Sequence, residues 1–104
     1  MLEKEIEAAV CRYAREKFDA VVRKYTSPQH RNVPDRIFIF PKGKLCFIEF
    51  KATGKKPTAG QDREIQRLRD RGQIVYVVDS IDLGKTLIHC FLGLPAPELG
   101  EFWG

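Results

Sequence analysis

Cysteine, methionine, tryptophan and histidine are scarce in this 104-residue chain: three Cys, one Met, one Trp and two His. Cys11, Cys46 and Cys90 are odd in number and far apart, with no close pair. They do not combine with His30 and His89 at a zinc spacing, so the expectation is reduced, mostly buried thiols of an intracellular protein. No apolar run reaches membrane-spanning length, and the start has no signal-peptide apolar core. Internal repeats and low-complexity segments are also missing. What remains is a chain 43% hydrophobic, long enough for one domain with one modest core. Its 18 Lys+Arg against 14 Asp+Glu give a net charge of +4, which suits a polyanionic partner.

The chain is organised around Pro34 to Lys51. Two runs rich in Ile and Phe, Ile37 to Phe40 and Leu45 to Phe50, flank a Pro41-Lys42-Gly43 turn, the pattern of a β-hairpin. With a three-residue loop, Gly43 supplies the positive φ that ends such a turn. Lys44 then faces Phe40, Phe47 faces Ile37 and Glu49 faces Asp35. Side chains alternate along a strand, so Asp35, Glu49 and Lys51 project from one face. A four-residue loop shifts the register by one and sends Asp35 to the opposite face. Two carboxylates and an amine at the end of an apolar hairpin make poor core and a good divalent-metal site. The plainer alternative is a strand-start Asp and an exposed Glu–Lys pair of little energetic weight.

Pro34-Asp35 followed by Glu49-Phe50-Lys51 resembles the signature of the PD-(D/E)XK nuclease superfamily. Within it, the order of features along the chain resembles the VRR-NUC (virus-type replication-repair nuclease) family in its compact, stand-alone phage form. Those features are a glutamate-bearing first helix, the Pro-Asp strand, Glu-Phe-Lys, Gln61 opening the next helix and a Gly-bounded apolar strand. Val33 departs from the family, where a glycine often precedes the proline. The resemblance implies an α/β, restriction-endonuclease-like core: an N-terminal helix, a mixed sheet with an antiparallel hairpin and a parallel strand, and flanking helices. It implies residues 1–94 as the nuclease domain and 95–104 as a tail.

The rest of the chain fits this frame. Leu2 to about Lys24 reads as a helix, with Ile6, Val10, Tyr13, Ala14, Phe18, Val21 and Val22 at helical spacing. Glu3 and Glu7 lie on or beside that stripe. The resemblance implies that a first-helix glutamate completes the metal cluster, Glu3 fitting best and Glu7 competing one turn later. Both are also ordinary residues near a helix N-terminus. Tyr25 to Val33 is a polar loop that delivers the chain to Asp35. In it Arg31 is a candidate phosphate contact, because its planar fork suits phosphate oxygens, and His30 is left outside the catalytic set. Lys55 and Lys56 lie in a flexible basic loop at the mouth of the site and are further DNA contacts. Thr58 and Gln61 form a capping box, whereas the family reading turns Gln61 into the site. The second helix runs to about Arg71. Ile74 to Val78 reads as a strand buried on both faces, parallel to the Glu49 strand. A third helix spans Ile81 to about Leu92, weakened by Gly84 and Thr86, with Leu83, Leu87, Ile88 and Phe91 inward. Phe102-Trp103 are expected to dock on the core or on a second subunit.

The function implied is a Mg²⁺- or Mn²⁺-dependent endodeoxyribonuclease that hydrolyses branched DNA, four-way (Holliday) junctions above all, in replication, repair or recombination. Asp35, Glu49, Glu3 and the Phe50 backbone carbonyl are the implied metal ligands. Asp35, Glu49, Lys51 and Gln61 are the implied catalytic set, in a homodimer with no membrane or small-molecule partner. Two alternatives stay open: a non-catalytic nucleic-acid-binding module of the same fold, and a restriction-type enzyme that cuts at a base sequence.

Overall fold

The computed structural model describes residues 1–99. Its elements are α1 (Glu3–Phe18), β1 (Val21–Lys24), β2 (Arg36–Phe40), a single-turn 3-10 segment (Pro41–Gly43), β3 (Lys44–Phe50), α2 (Ala59–Asp70), β4 (Val75–Val78) and α3 (Ile81–Phe91). The strands form one sheet in the order β1-β2-β3-β4. β1–β2 and β2–β3 are antiparallel, and β3–β4 is parallel. The α/β architecture expected from the sequence is the one observed, with one strand added.

That strand corrects the first helix, which stops at Phe18 rather than near Lys24. Asp19 adopts the left-handed conformation (φ 54°); its N–H donates to the Arg15 carbonyl and the Ala20 N–H to the Ala14 carbonyl. A short polar side chain tolerates this region better than most. β-branched Val21 and Val22 then pair with Ile39 and Phe38 and extend the sheet past β2. Helical spacing alone did not separate the two outcomes, because Val21 and Val22 fall in phase with Phe18 on a helix.

The hairpin has the three-residue register: Phe40 opposes Lys44, Ile37 opposes Phe47 and Arg36 opposes Ile48. Both Lys42 (φ 68°) and Gly43 (φ 78°) take positive φ in the turn. Alternation then sorts the sheet into two faces. On one, Phe38, Phe40, Cys46, Ile48, Phe50 and Val78 are buried against Ile6, Val10 and Ala14 of α1 and Ile88 of α3. On the other lies α2, whose Ile65 is buried, as is Val75 of β4. β4 ends the sheet and has a buried residue on each face, Val75 on one and Val78 on the other, as expected of its apolar run; Ile74, just before it, is 40% exposed, and Tyr76 is half-buried. The three thiols are free, Cys11 and Cys46 buried and Cys90 exposed. None of the described helices is long and apolar enough to cross a membrane. Phe102 and Trp103 lie outside the described residues.

The third helix forms as expected, but Leu83 points outward. Gly84, a weak point by helix propensity, is where α3 packs closest on the core. A Cβ at this position would stand 2.6 Å from Val10 Cγ2 and 3.2 Å from Val78 Cγ1. Both valines are fully buried and stiff about χ1. Gly84→Ala is therefore expected to destabilise by about 1–2 kcal/mol, overpacking exceeding the roughly 1 kcal/mol that alanine gains in helix propensity. Thermal melting checks this, and a melting temperature at or above that of the native protein contradicts it.

Candidate active site

Continuing the β2–β3 register past Arg36 and Ile48 sets Asp35 across from Glu49 and Pro34 across from Phe50. The ladder ends there, because proline has no N–H to give to the Phe50 carbonyl. The Asp35 side chain takes over instead: its Oδ2 accepts the Phe50 N–H at 2.8 Å. Asp35 is thus held at the mouth of the strand pair, beside the carboxylate two positions before Lys51.

Glu49 is only 2% exposed. One of its oxygens, Oε2, accepts from Gln61 Nε2 at 3.1 Å and lies 3.2 Å from Lys51 Nζ. The other, Oε1, is buried with no hydrogen-bond partner among the described residues. Burial, and then the nearby Asp35 charge, push the Glu49 carboxyl up to about 7, against the pull of Lys51. Asp35 is also raised, by burial first, with the Phe50 N–H opposing. A buried carboxylate with an unsatisfied oxygen, its pKa raised by burial and by a second carboxylate beside it, is costly without a cation.

Gln61 resolves an ambiguity left by the sequence. Its Oε1 accepts from the Thr58 N–H (2.9 Å), and its own N–H donates to Thr58 Oγ1 (3.2 Å), so the capping box is formed. Its Nε2 remains for Glu49. One side chain does both jobs, and since Thr58 N–H can only donate, the amide orientation is fixed.

The first-helix glutamates are arranged less simply. Glu7, the competing ligand candidate, is bound to Arg36 (Oε2 to Nε, 2.7 Å), a pair that local spacing does not reveal. Glu3 is exposed, and its charge raises the Glu49 pKa. Among the described residues, no group of three His, Cys, Asp or Glu is gathered to hold an ion. The Glu3–Asp35–Glu49 trio is thus not brought together as a ready-made cage. Two carboxylates with an unsatisfied oxygen nevertheless fit Mg²⁺, which commonly takes one or two protein carboxylates and fills its shell with water and substrate phosphate. Arg31, Lys55 and Lys56 are all exposed. The loop carrying Arg31 abuts the start of α2, where a Cβ on Gly60 would meet Asn32 Nδ2 at 2.7 Å.

No family model matches the chain. A curated protein of Acyrthosiphon pisum secondary endosymbiont phage 1, "Putative nuclease p44", is 46% identical over 71 residues, covering 68% of this chain and 76% of its own. A solved structure titled "VRR_NUC domain" is 36% identical with a TM-score of 0.69, covering 81% of this chain and 95% of its own. The chain belongs to the VRR-NUC family. A second solved structure, "VRR_NUC domain protein", shares the fold at 20% identity, with a TM-score of 0.75 over 91% of each chain. The α/β VRR-NUC fold thus agrees with the resemblance carried by Pro34-Asp35 and Glu49-Phe50-Lys51.

Proposed function

We propose that this VRR-NUC protein is a metal-dependent, structure-selective DNA endonuclease that hydrolyses phosphodiester bonds at branched DNA, including four-way junctions. The observation that carries the reading is the convergence of Asp35, Glu49 and Lys51 on one face, with Glu49 Oε1 buried and unsatisfied. Asp35, Glu49 and the Phe50 carbonyl would hold Mg²⁺ or Mn²⁺, with Glu3 reaching in from the start of α1. When bound, such an ion neutralises phosphoryl charge and lowers the pKa of a coordinated water. Lys51 supplies a compact positive charge at the reacting phosphate, where negative charge grows in the transition state. Gln61 holds Glu49 by a donor that keeps its orientation whatever the protonation of the carboxylate. Arg31, Lys55 and Lys56 contact backbone phosphates flanking the site.

So small a domain offers little surface for reading a branch, and a two-fold dimer would present two such sites to two strands. The assay uses labelled linear duplex, flap and four-way junction, each with Mg²⁺, Mn²⁺ or EDTA. Branched DNA is expected to be cut with metal and left intact in EDTA. Cutting of linear duplex at one sequence favours a restriction-type enzyme, and metal-independent binding without cutting favours a non-catalytic module.

A further inference from the structure

The face of the sheet that carries Asp35 and Glu49 is only partly covered. α2 lies over β4, with Val75 buried and Gln61 on Glu49. Alternation puts Val21, Arg23, Ile37, Ile39, Leu45 and Phe47 on the same face. Val21 and Ile39, directly paired, are 43% and 38% exposed, and Ile37, Leu45 and Phe47 are half-buried. Tyr25 continues β1 onto this surface, its N–H donating to the Asp35 carbonyl at 2.9 Å. Its half-buried ring packs against Phe47, centroids 5.6 Å apart. Two aromatic rings therefore stand at the catalytic carboxylates, one paired to Asp35 and the other two residues before Glu49.

A half-buried aromatic pair on this face takes no part in the core that α1 and α3 close on the opposite face. Its surroundings narrow the occupant. The surface is continuous with the carboxylates and carries the exposed cation Arg23, in a chain of net charge +4. A partner with a polyanionic backbone and flat apolar groups matches both features, since bases stack on aromatic rings while phosphates meet the cation. We infer that Tyr25 and Phe47 form a stacking platform for a nucleobase left unpaired beside the scissile phosphate. The inference rests on the nuclease reading and narrows its substrate to branch points where a base is free of its partner.

The test uses a DNA fork with 2-aminopurine at the first unpaired position, a matching fork abasic there, and a fully paired linear duplex. Binding is read by fluorescence in EDTA, cleavage with Mg²⁺, and the native protein is compared with Tyr25→Leu and Phe47→Leu. Tyr25→Leu, at the end of an edge strand, keeps the test valid if Phe47→Leu melts early. The native protein is expected to quench the 2-aminopurine. The variants lose the quench and bind the fork about ten-fold more weakly, while all three bind the abasic fork alike. A fork that is cut without quenching, or native binding that ignores the missing base, overturns the platform. So does an Ile39→Asp variant that converts a dimer to a monomer with no quench seen in either, which assigns the face to a second copy. Quenching with no cleavage of any branched DNA keeps the platform and removes the nuclease reading.

Discussion

Asp35→Ala, Glu49→Ala and Lys51→Ala proteins are expected to fold, to bind branched DNA and to leave it uncut. The loss should be on the order of 10²–10³ or more in rate, the scale seen when one pre-organised electrostatic group is removed from a transition state. On the proposed reading Asp35 and Glu49 would hold the cation, and Lys51, 3.2 Å from Glu49, would act through its own charge. Binding is expected to survive, because the proposed phosphate contacts Arg31, Lys55 and Lys56 are untouched. Glu3→Ala and Glu7→Ala separate the two candidates on α1. Glu7 is engaged by Arg36, so its removal should cost stability, whereas removal of Glu3 should cost cleavage. Circular dichroism, gel-shift binding and junction cleavage together check the set, and full cleavage by any of the first three variants removes that residue from the catalytic role.

The second large effect concerns stability. The metal-free protein should lose stability as pH rises from about 4.5, the ordinary value for Glu49, to about 7, its value in the folded protein. The folded carboxyl holds a proton in that window and the unfolded one does not, so the stabilisation is complete at the acid end and gone above the upper limit. Asp35, raised as well, adds in the same direction. Glu49→Gln removes most of the slope and should raise stability above pH 7 by roughly 3 kcal/mol. Mg²⁺ should stabilise the native protein by about 2.7 kcal/mol at a hundred times its Kd and leave Glu49→Gln nearly unaffected. Melting in EDTA and in Mg²⁺ across this range decides it, and a pH-independent melting temperature in EDTA contradicts it.

The hairpin was legible in the sequence because its register rests on local chemistry. Gly43 marks the turn, and alternation from there carries Asp35 and Glu49 to one face. What the sequence hid was mostly non-local. β1 depends on a free sheet edge for Val21 and Val22 to pair with, which helical spacing cannot report. The apolar run of β4 reported its two covered faces but not that it ends the sheet. Gly84 looked like a weakness until Val10 stood against it. The Glu7–Arg36 pair joins residues 29 apart, a separation that no local pattern encodes. Gln61 forms the capping box and also donates to Glu49, so the two placements are compatible.

That double engagement has an evolutionary corollary. Glutamate would close the helix start at position 61 about as well as glutamine. Only glutamine brings a donor to Glu49, where glutamate would bring a repelling charge. Divergent copies that drift to glutamate here would keep the capping pattern and set a third acid against Glu49 and Asp35, a strain that the helix-start rule alone does not report.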